Sequence, residues 1–242
     1  MNTDAFFRQG KSHLVCQDYA RAQDLCAALA DGCSSSPHTD MGARYLVNSF
    51  FNGAEDLEYG ALCQKPSCLP KTCLDATLMT LSVGEEYSEV SCYGDGVIVI
   101  VPQEGDAFIY DIDWNDMPAY LSYRLNPERL TGVTLQGTVT TGLLTSQCVD
   151  MADLSSDVFH LQVPNKDYKQ ILLFSDGVKS FQRKLDGRNQ PVDFREVLLE
   201  MTKIKATKGR YLARRSQSFL DRFCAKEGWF HTDDFSVVGA VL

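Results

Sequence analysis

Three short apolar runs in this chain each meet an aspartate, and that arrangement constrains the fold more than any other feature. Residues 25–30 stop at Asp31-Gly32, residues 171–174 stop at Ser175-Asp176-Gly177, and the run 235–242 opens directly after Asp233-Asp234. Apolar runs of four to eight residues bounded by turn residues read as buried strands. A strand fixes the direction of the residue at its end, so aspartates on neighbouring strands can converge without long flexible arms. Convergence is costly without cations, because like charges a few ångströms apart repel and raise one another's pKa. Oxygen-only ligands, with no His/Cys cluster competing, favour Mg or Mn over Zn or Cu.

The remaining apolar pattern predicts more strands than helices. Residues 76–83, 89–93 and 97–101 read as three successive strands of an antiparallel meander, the last two joined by a hairpin at Gly94-Asp95-Gly96. Thr39 or Asp40 can cap a helix through about Asn52, with Tyr45, Leu46, Ser49 and Phe50 on one face and Gly53 as its stop. A second helix is predicted over 194–202 and a third over 211–226, with Leu212, Phe219, Leu220 and Phe223 in one stripe and Gly228 past its end. Strands in runs with helices set apart imply an α+β layered domain. Residues 103–165 read as short strands and loops.

With 242 residues, 44% of them apolar and 23% charged, the chain can bury a substantial core, and one domain over 1–242 is expected. The amino-terminal residues lack the basic start and apolar stretch of a secretory signal. The longest aliphatic run, 97–101, is far short of the roughly 20 residues that span a bilayer. No membrane partner and a cytoplasmic location are therefore expected. Nine cysteines, an odd number, lie scattered among apolar runs (Cys26, Cys92, Cys224), as fits reduced thiols. A net charge of -9 argues against nucleic acid as the main partner, since phosphate backbones are bound by neutralising them.

Asp-Gly is a common turn dipeptide, and four occur here, so no single pair carries a function. The ordered combination does. Gly10-Lys11-Ser12-His13 with Gln17-Asp18 is followed by Ala30-Asp31-Gly32, Met41-Gly42-Ala43-Arg44 and Ala76-Thr77-Leu78. Tyr93-Gly94-Asp95-Gly96, Phe174-Ser175-Asp176-Gly177 and Asp233-Asp234-Phe235-Ser236 complete the series, which covers nearly the whole chain. In these motifs and their order the sequence resembles the metal-dependent protein Ser/Thr phosphatases of the type 2C (PPM) class, in their compact bacterial branch.

The resemblance implies a four-layer α-β-β-α sandwich, two antiparallel sheets flanked by helices, with a site for two divalent cations, Mn or Mg, at one end of the sheets. It implies that Asp31, Asp176 and Asp233 are the catalytic aspartates. Asp31 would bridge both ions, the Gly32 carbonyl would join one, and Asp176 and Asp233 would complete the other. Asp18, acting mainly through metal-bound water, and Asp234 would stand behind them. Water held by two cations loses a proton easily and can attack phosphorus in line, which hydrolyses phosphoserine or phosphothreonine on a phosphoprotein substrate. His13 aligns with the position of a phosphate-binding arginine in many relatives; a lone histidine is as readily a surface or core side chain.

Departures from the family pattern shape the expectation too. Cys33 follows Asp31-Gly32 where animal relatives carry a histidine proposed as general acid, which leaves leaving-group protonation to water, His38 or nothing. Gly96-Val97 replaces a polar pair, which makes Asp95 a hairpin residue rather than a ligand. Asp111, Asp113 and Asp116 are the candidates for a third ion. Cys63, Cys68 and Cys73 lack the close pairing of structural zinc sites. The six Lys or Arg residues of 203–215 read as a solvated helix entry that could dock acidic segments. Trp114 and Trp229 read as partly buried. Two rivals stand beside the phosphatase: an inactive relative serving as a binding or regulatory module, and a phosphatase of small phosphorylated metabolites.

Overall fold

Alternation of side chains along each strand decides which strands share a sheet here, because every central strand must bury both faces. A computed structural model describes residues 1–115, 117–146 and 148–242 of the chain. Its elements begin with β1 (Asn2–Arg8), β2 (Asp18–Gln23), β3 (Cys26–Gly32), α1 (Thr39–Phe51), α2 (Leu57–Gln64), β4 (Ala76–Val83), β5 (Tyr87–Tyr93), β6 (Gly96–Pro102) and β7 (Phe108–Asp113). They continue with α3 (Ser122–Leu125), β8 (Thr138–Leu143), β9 (Val149–Asp153), β10 (Phe159–Pro164), β11 (Tyr168–Phe174), β12 (Phe181–Leu185), β13 (Arg188–Pro191), α4 (Phe194–Met201), α5 (Tyr211–Ser218), β14 (Trp229–His231) and β15 (Phe235–Val241).

The long strands form two antiparallel sheets, ordered β1-β15-β11-β6-β7-β8-β9 and β10-β5-β4-β3-β2; β13-β12-β14 make a small third sheet. Three apolar layers show how the large sheets stack. Leu29, Met79, Leu81, Ile98, Ile100, Ile171 and Val238 pack between them. Val97, Val99, Leu172 and Val237 point the other way and meet Leu198 of α4 and Leu212 of α5. Ala28, Ala30 and Leu78 meet Ala43, Leu46 and Val47 of α1. The result is the α-β-β-α sandwich that the family resemblance implies, with odd and even residues of one strand serving different cores.

Two local expectations are corrected. Gly94-Asp95-Gly96 is not a hairpin: β5 pairs with β4 and β10, whereas β6 pairs with β11 and β7, so the chain passes there from one sheet to the other. The apolar pattern explains why. β5 alternates exposed and buried residues, as suits its sheet, while Gly96 through Val101 are all buried and demand a central place between two cores. Thr39 does not cap α1, since the capping position is His38, in a left-handed conformation with no side-chain cap bond; the Thr39 hydroxyl donates instead to the Cys33 carbonyl at 3.0 Å.

The predicted third helix runs through α5, a π-helical turn at Phe219–Cys224 and a last turn at Ala225–Glu227, ending at left-handed Gly228. Its first turn is fixed to the edge of the sheet by buried Asp4, whose carboxylate accepts from the Leu212 and Ala213 amides at 2.7 and 3.0 Å. An acidic group at a helix start satisfies donors that have no partner within the helix. Trp114 is buried between the sheets and Trp229 packs on Phe219 and Phe223.

Candidate active site

Strand register brings the first two aspartates together. Asp18 on β2 stands opposite Asp31 on β3, and Asp31 stands opposite Thr77 on β4, whose hydroxyl accepts from the Asp31 amide at 3.3 Å. From the other sheet, β11 ends at Phe174 and delivers Asp176 in the following 3-10 turn, while Asp233 and Asp234 lead into β15 beside it. Two glycines allow the close approach. A Cβ on Gly177 would lie 1.6 Å from the backbone oxygen of Asp234, and one on Gly10 would lie 2.2 Å from the Asp233 carbonyl. Only a bare Cα fits between those backbones.

A polar cleft of about 150 Å³ opens at this end of the sheets. His13, Asp31, Gly32, Asp176 and Asp233 all line it, so the sequence brings five of its predicted site residues into one place. Cys33, Ser34, Thr77, Asp95, Pro118 and Tyr120 form the rest of the wall. Asp18 and Asp234 are buried behind it.

Burial and mutual repulsion dominate the electrostatics. Asp31, enclosed and facing the charges of Asp18 and Asp176, titrates well above the ordinary carboxylate range. Burial pushes Asp18 up to about 7, against the hydrogen bond it accepts from the Ser175 hydroxyl at 2.8 Å. Burial also raises Asp95 to about 7 and raises Asp233, with Asp176 adding repulsion to both. Oδ1 of Asp18 is buried without any partner. Among the described residues no three His, Cys, Asp or Glu side chains stand close enough together to form a ready-made ligating cluster. A crowd of oxygen donors with raised pKa values and an orphaned buried oxygen fits divalent cations well, and the donor set is that of Mg or Mn.

Linkage then gives a testable consequence for the metal-free protein. Carboxyls with folded pKa values near 7 hold protons that the unfolded chain releases near pH 4, so their contribution to stability is full in acid and is lost as pH rises through about 7. The melting temperature without metal should fall between about pH 5 and about pH 8, and added Mn should flatten that slope. A metal-free melting temperature that stays level or climbs across this interval is incompatible with the clustered carboxylates.

His13 and Asp234 form one unit. Asp234 accepts from the Gly10 amide at 2.7 Å, the Gln17 amide at 2.5 Å and His13 Nδ1 at 2.9 Å, closing the 10–17 loop. His13 Nε2 lies 3.3 Å from Asp233. Burial opposes charge on His13, but the hydrogen bond and charge of Asp234, with Asp233, outweigh it and hold its pKa above the ordinary value. Burial likewise works against the Cys33 thiolate, yet hydrogen bonds with Ser35 and Tyr120 leave that thiol below its ordinary pKa.

Behind the Cys33 wall lies a hub that sequence reading misses. Asp75, 1% exposed, accepts both guanidinium nitrogens of Arg129 at 2.7 and 2.8 Å, Ser122 at 2.6 Å and Ser36 at 2.7 Å. It fastens the segment carrying Tyr120 to the loop after Gly32, and these bonds hold its pKa below the usual range despite burial. Arg129→Ala leaves a buried carboxylate short of its partner and should cost about 2–3 kcal/mol by denaturant unfolding at neutral pH. Because the pKa is depressed, that deficit should shrink as pH falls through the folded-state value; a deficit constant with pH would contradict the ion pair.

No family model matches the sequence, and no curated protein matches it. Solved structures do match. The serine/threonine phosphatase PstP of Mycobacterium tuberculosis superposes with a TM-score of 0.56 at 15% identity, over 100% of this chain and 98% of that one. The PstP catalytic domain in complex with two manganese ions gives 0.52 at 16% identity, over 99% and 97%. The serine/threonine phosphatase Stp1 of Staphylococcus aureus gives 0.54 at 13% identity, over 99% and 94%. The chain has the fold of the bacterial PPM phosphatases.

Within that PPM fold several expectations change. Asp95 lies in the bend between β5 and β6 and also lines the cleft, its Oδ1 accepting the Trp114 amide at 2.7 Å. The signal was present in Tyr93-Gly94-Asp95-Gly96 and was masked by the hairpin pattern that Gly-Asp-Gly also satisfies. His38 is exposed and does not line the cleft, which removes it as a proton donor there. Of the third-ion candidates, Asp111 is paired with Lys179 at 2.6 Å, Asp113 accepts the Asn115 amide at 2.7 Å, and Asp116 lies outside the described residues. Cys63 and Cys68 are exposed and Cys73 buried, all free thiols. No described helix is long and apolar enough to cross a membrane.

Proposed function

We propose that this protein is a type 2C phosphatase that hydrolyses phosphoserine and phosphothreonine esters on proteins with two divalent cations, Mn or Mg, and that residues 1–242 act as one phosphatase domain. Support comes chiefly from one observation: Asp31, Gly32, Asp176 and Asp233, from three distant stretches of chain, line one polar cleft. A manganese complex of PstP, which shares the fold, points the same way.

Asp31, Asp176, Asp233 and the Gly32 carbonyl would hold the ions, and Asp95 is an additional carboxylate lining the same cleft. Bound there, divalent cations would supply Lewis acidity toward the phosphoryl oxygens and acidify water. Asp18, held by Ser175 and opposite Asp31 in the β2–β3 register, would act on the ions through bound water. His13, fixed by Asp234, would present a cationic edge to a phosphate oxygen, a weaker and more pH-sensitive hold than a bidentate guanidinium. No other histidine lines the cleft among the described residues, so protonation of the leaving hydroxyl would be left to water or to no group at all.

Calorimetric titration with Mn, followed by hydrolysis of paired phosphopeptides and small phosphate esters, tests this. Mn binding with a preference for phosphopeptides supports the proposal. Binding of Mn without hydrolysis would instead identify a regulatory module, and preference for small esters a metabolite phosphatase.

A further inference from the structure

The densest run of basic residues in the sequence is 203–215. Residues 203–215 contain six of the 23 Lys and Arg residues and none of the 32 Asp and Glu residues. Asn2 pairs with Val241 at the end of β15 remote from Asp233, and its side-chain amide donates to the Thr207 and Gly209 carbonyls at 2.9 and 3.3 Å. The basic segment is thereby fixed roughly 20 Å from the cleft, the length of a seven-residue strand.

Here Lys203, Lys205, Arg214 and Arg215 surround Ile204 and Ala206 in a groove of about 450 Å³. Glu200 engages two of the four, pairing with Lys203 and with Arg215 at 3.0 Å. Lys205 and Arg214 are exposed and have no carboxylate partner among the described residues. The groove is also held in shape: Arg214 Nη2 donates to the Lys208 carbonyl at 2.7 Å, and the Tyr211 hydroxyl donates to the Gly239 carbonyl at 2.9 Å.

From this arrangement we infer that the groove docks an acidic segment of a partner protein, independently of hydrolysis at the cleft. Uncompensated cations on an ordered backbone attract carboxylates, and Ile204 and Ala206 receive the methylene stems of Glu side chains. The groove accommodates a few side chains, whereas a long polyanion would run on over a chain of net charge -9 and be repelled. A short acidic peptide fits those limits better than a nucleic acid or an anionic membrane.

Fluorescence anisotropy with the full chain and a labelled, unphosphorylated Asp/Glu-rich peptide of about twelve residues tests the inference. Saturable binding is expected, weakening about tenfold or more both on raising salt from about 50 to about 200 mM and in Lys205→Glu/Arg214→Glu. Lys205→Gln/Arg214→Gln, which removes the two charges without reversing them, serves as the second variant should the first misfold, and unchanged binding by it overturns the inference equally. Wild-type-like binding by a folded Lys205→Glu/Arg214→Glu protein would overturn the inference. Tighter capture of an oligonucleotide of equal charge, or of phosphatidylserine vesicles, through the same residues would overturn it in favour of those polyanions.

Discussion

Asp176→Asn should lower Mn-stimulated hydrolysis of p-nitrophenyl phosphate about a thousandfold or more, equivalent to about 4 kcal/mol of barrier. Asparagine keeps the size and turn preference of aspartate, so the Ser175-Asp176-Gly177 turn and its tight approach to Asp234 are retained. What disappears is one anionic oxygen from a cleft that also holds Asp31, Asp95 and Asp233. Because those groups repel one another without cations, the variant's metal-free melting temperature should equal or exceed that of the parent. Lost activity with unimpaired folding is thus the expected signature. Undiminished Mn-stimulated turnover in Asp176→Asn would remove the basis of the proposed function.

The second large effect concerns Asp234. Replacing it by alanine strips the acceptor from two backbone amides, Gly10 and Gln17, and from His13 Nδ1, at a carboxylate only 1% exposed. Unsatisfied buried donors cost about 1–3 kcal/mol each, so a loss of about 3–4 kcal/mol is expected, a fall of roughly 10 °C in melting temperature for a domain of this size. His13 would also lose its orienting partner and the main influence raising its pKa. Calorimetry measures the first effect and proton resonance titration of His13 the second. A change below about 1 kcal/mol would mean that the 10–17 loop is held by something other than Asp234.

Much of this architecture was legible because its signals are local. Asp31, Asp176 and Asp233 each abut an apolar run whose strand identity follows from composition, and a strand end leaves its aspartate little freedom. The hairpin error at 94–96 arose because turn chemistry describes only a reversal of the chain, and Gly-Asp-Gly reverses equally well between strands of one sheet or of two. Distinguishing them required comparing burial on either side: alternating in β5, continuous in β6. The Asp75 hub was invisible for another reason. Its partners Ser36, Ser122 and Arg129 come from separate loops, and no periodicity links residues whose association depends on tertiary packing. The sequence motif places Asp234 behind the cleft, but its bonds to the Gly10 and Gln17 amides join residues more than 200 positions apart and follow from no local pattern.

In the larger sheet β15 lies between β1 and β11, and the residues leading into it bring Asp233 to the cleft. One strand therefore carries two duties: β1 is bonded to it along its whole length, and the residues leading into it set where Asp233 stands at the cleft. A substitution that loosens β15 would disturb the sheet edge and the cleft together.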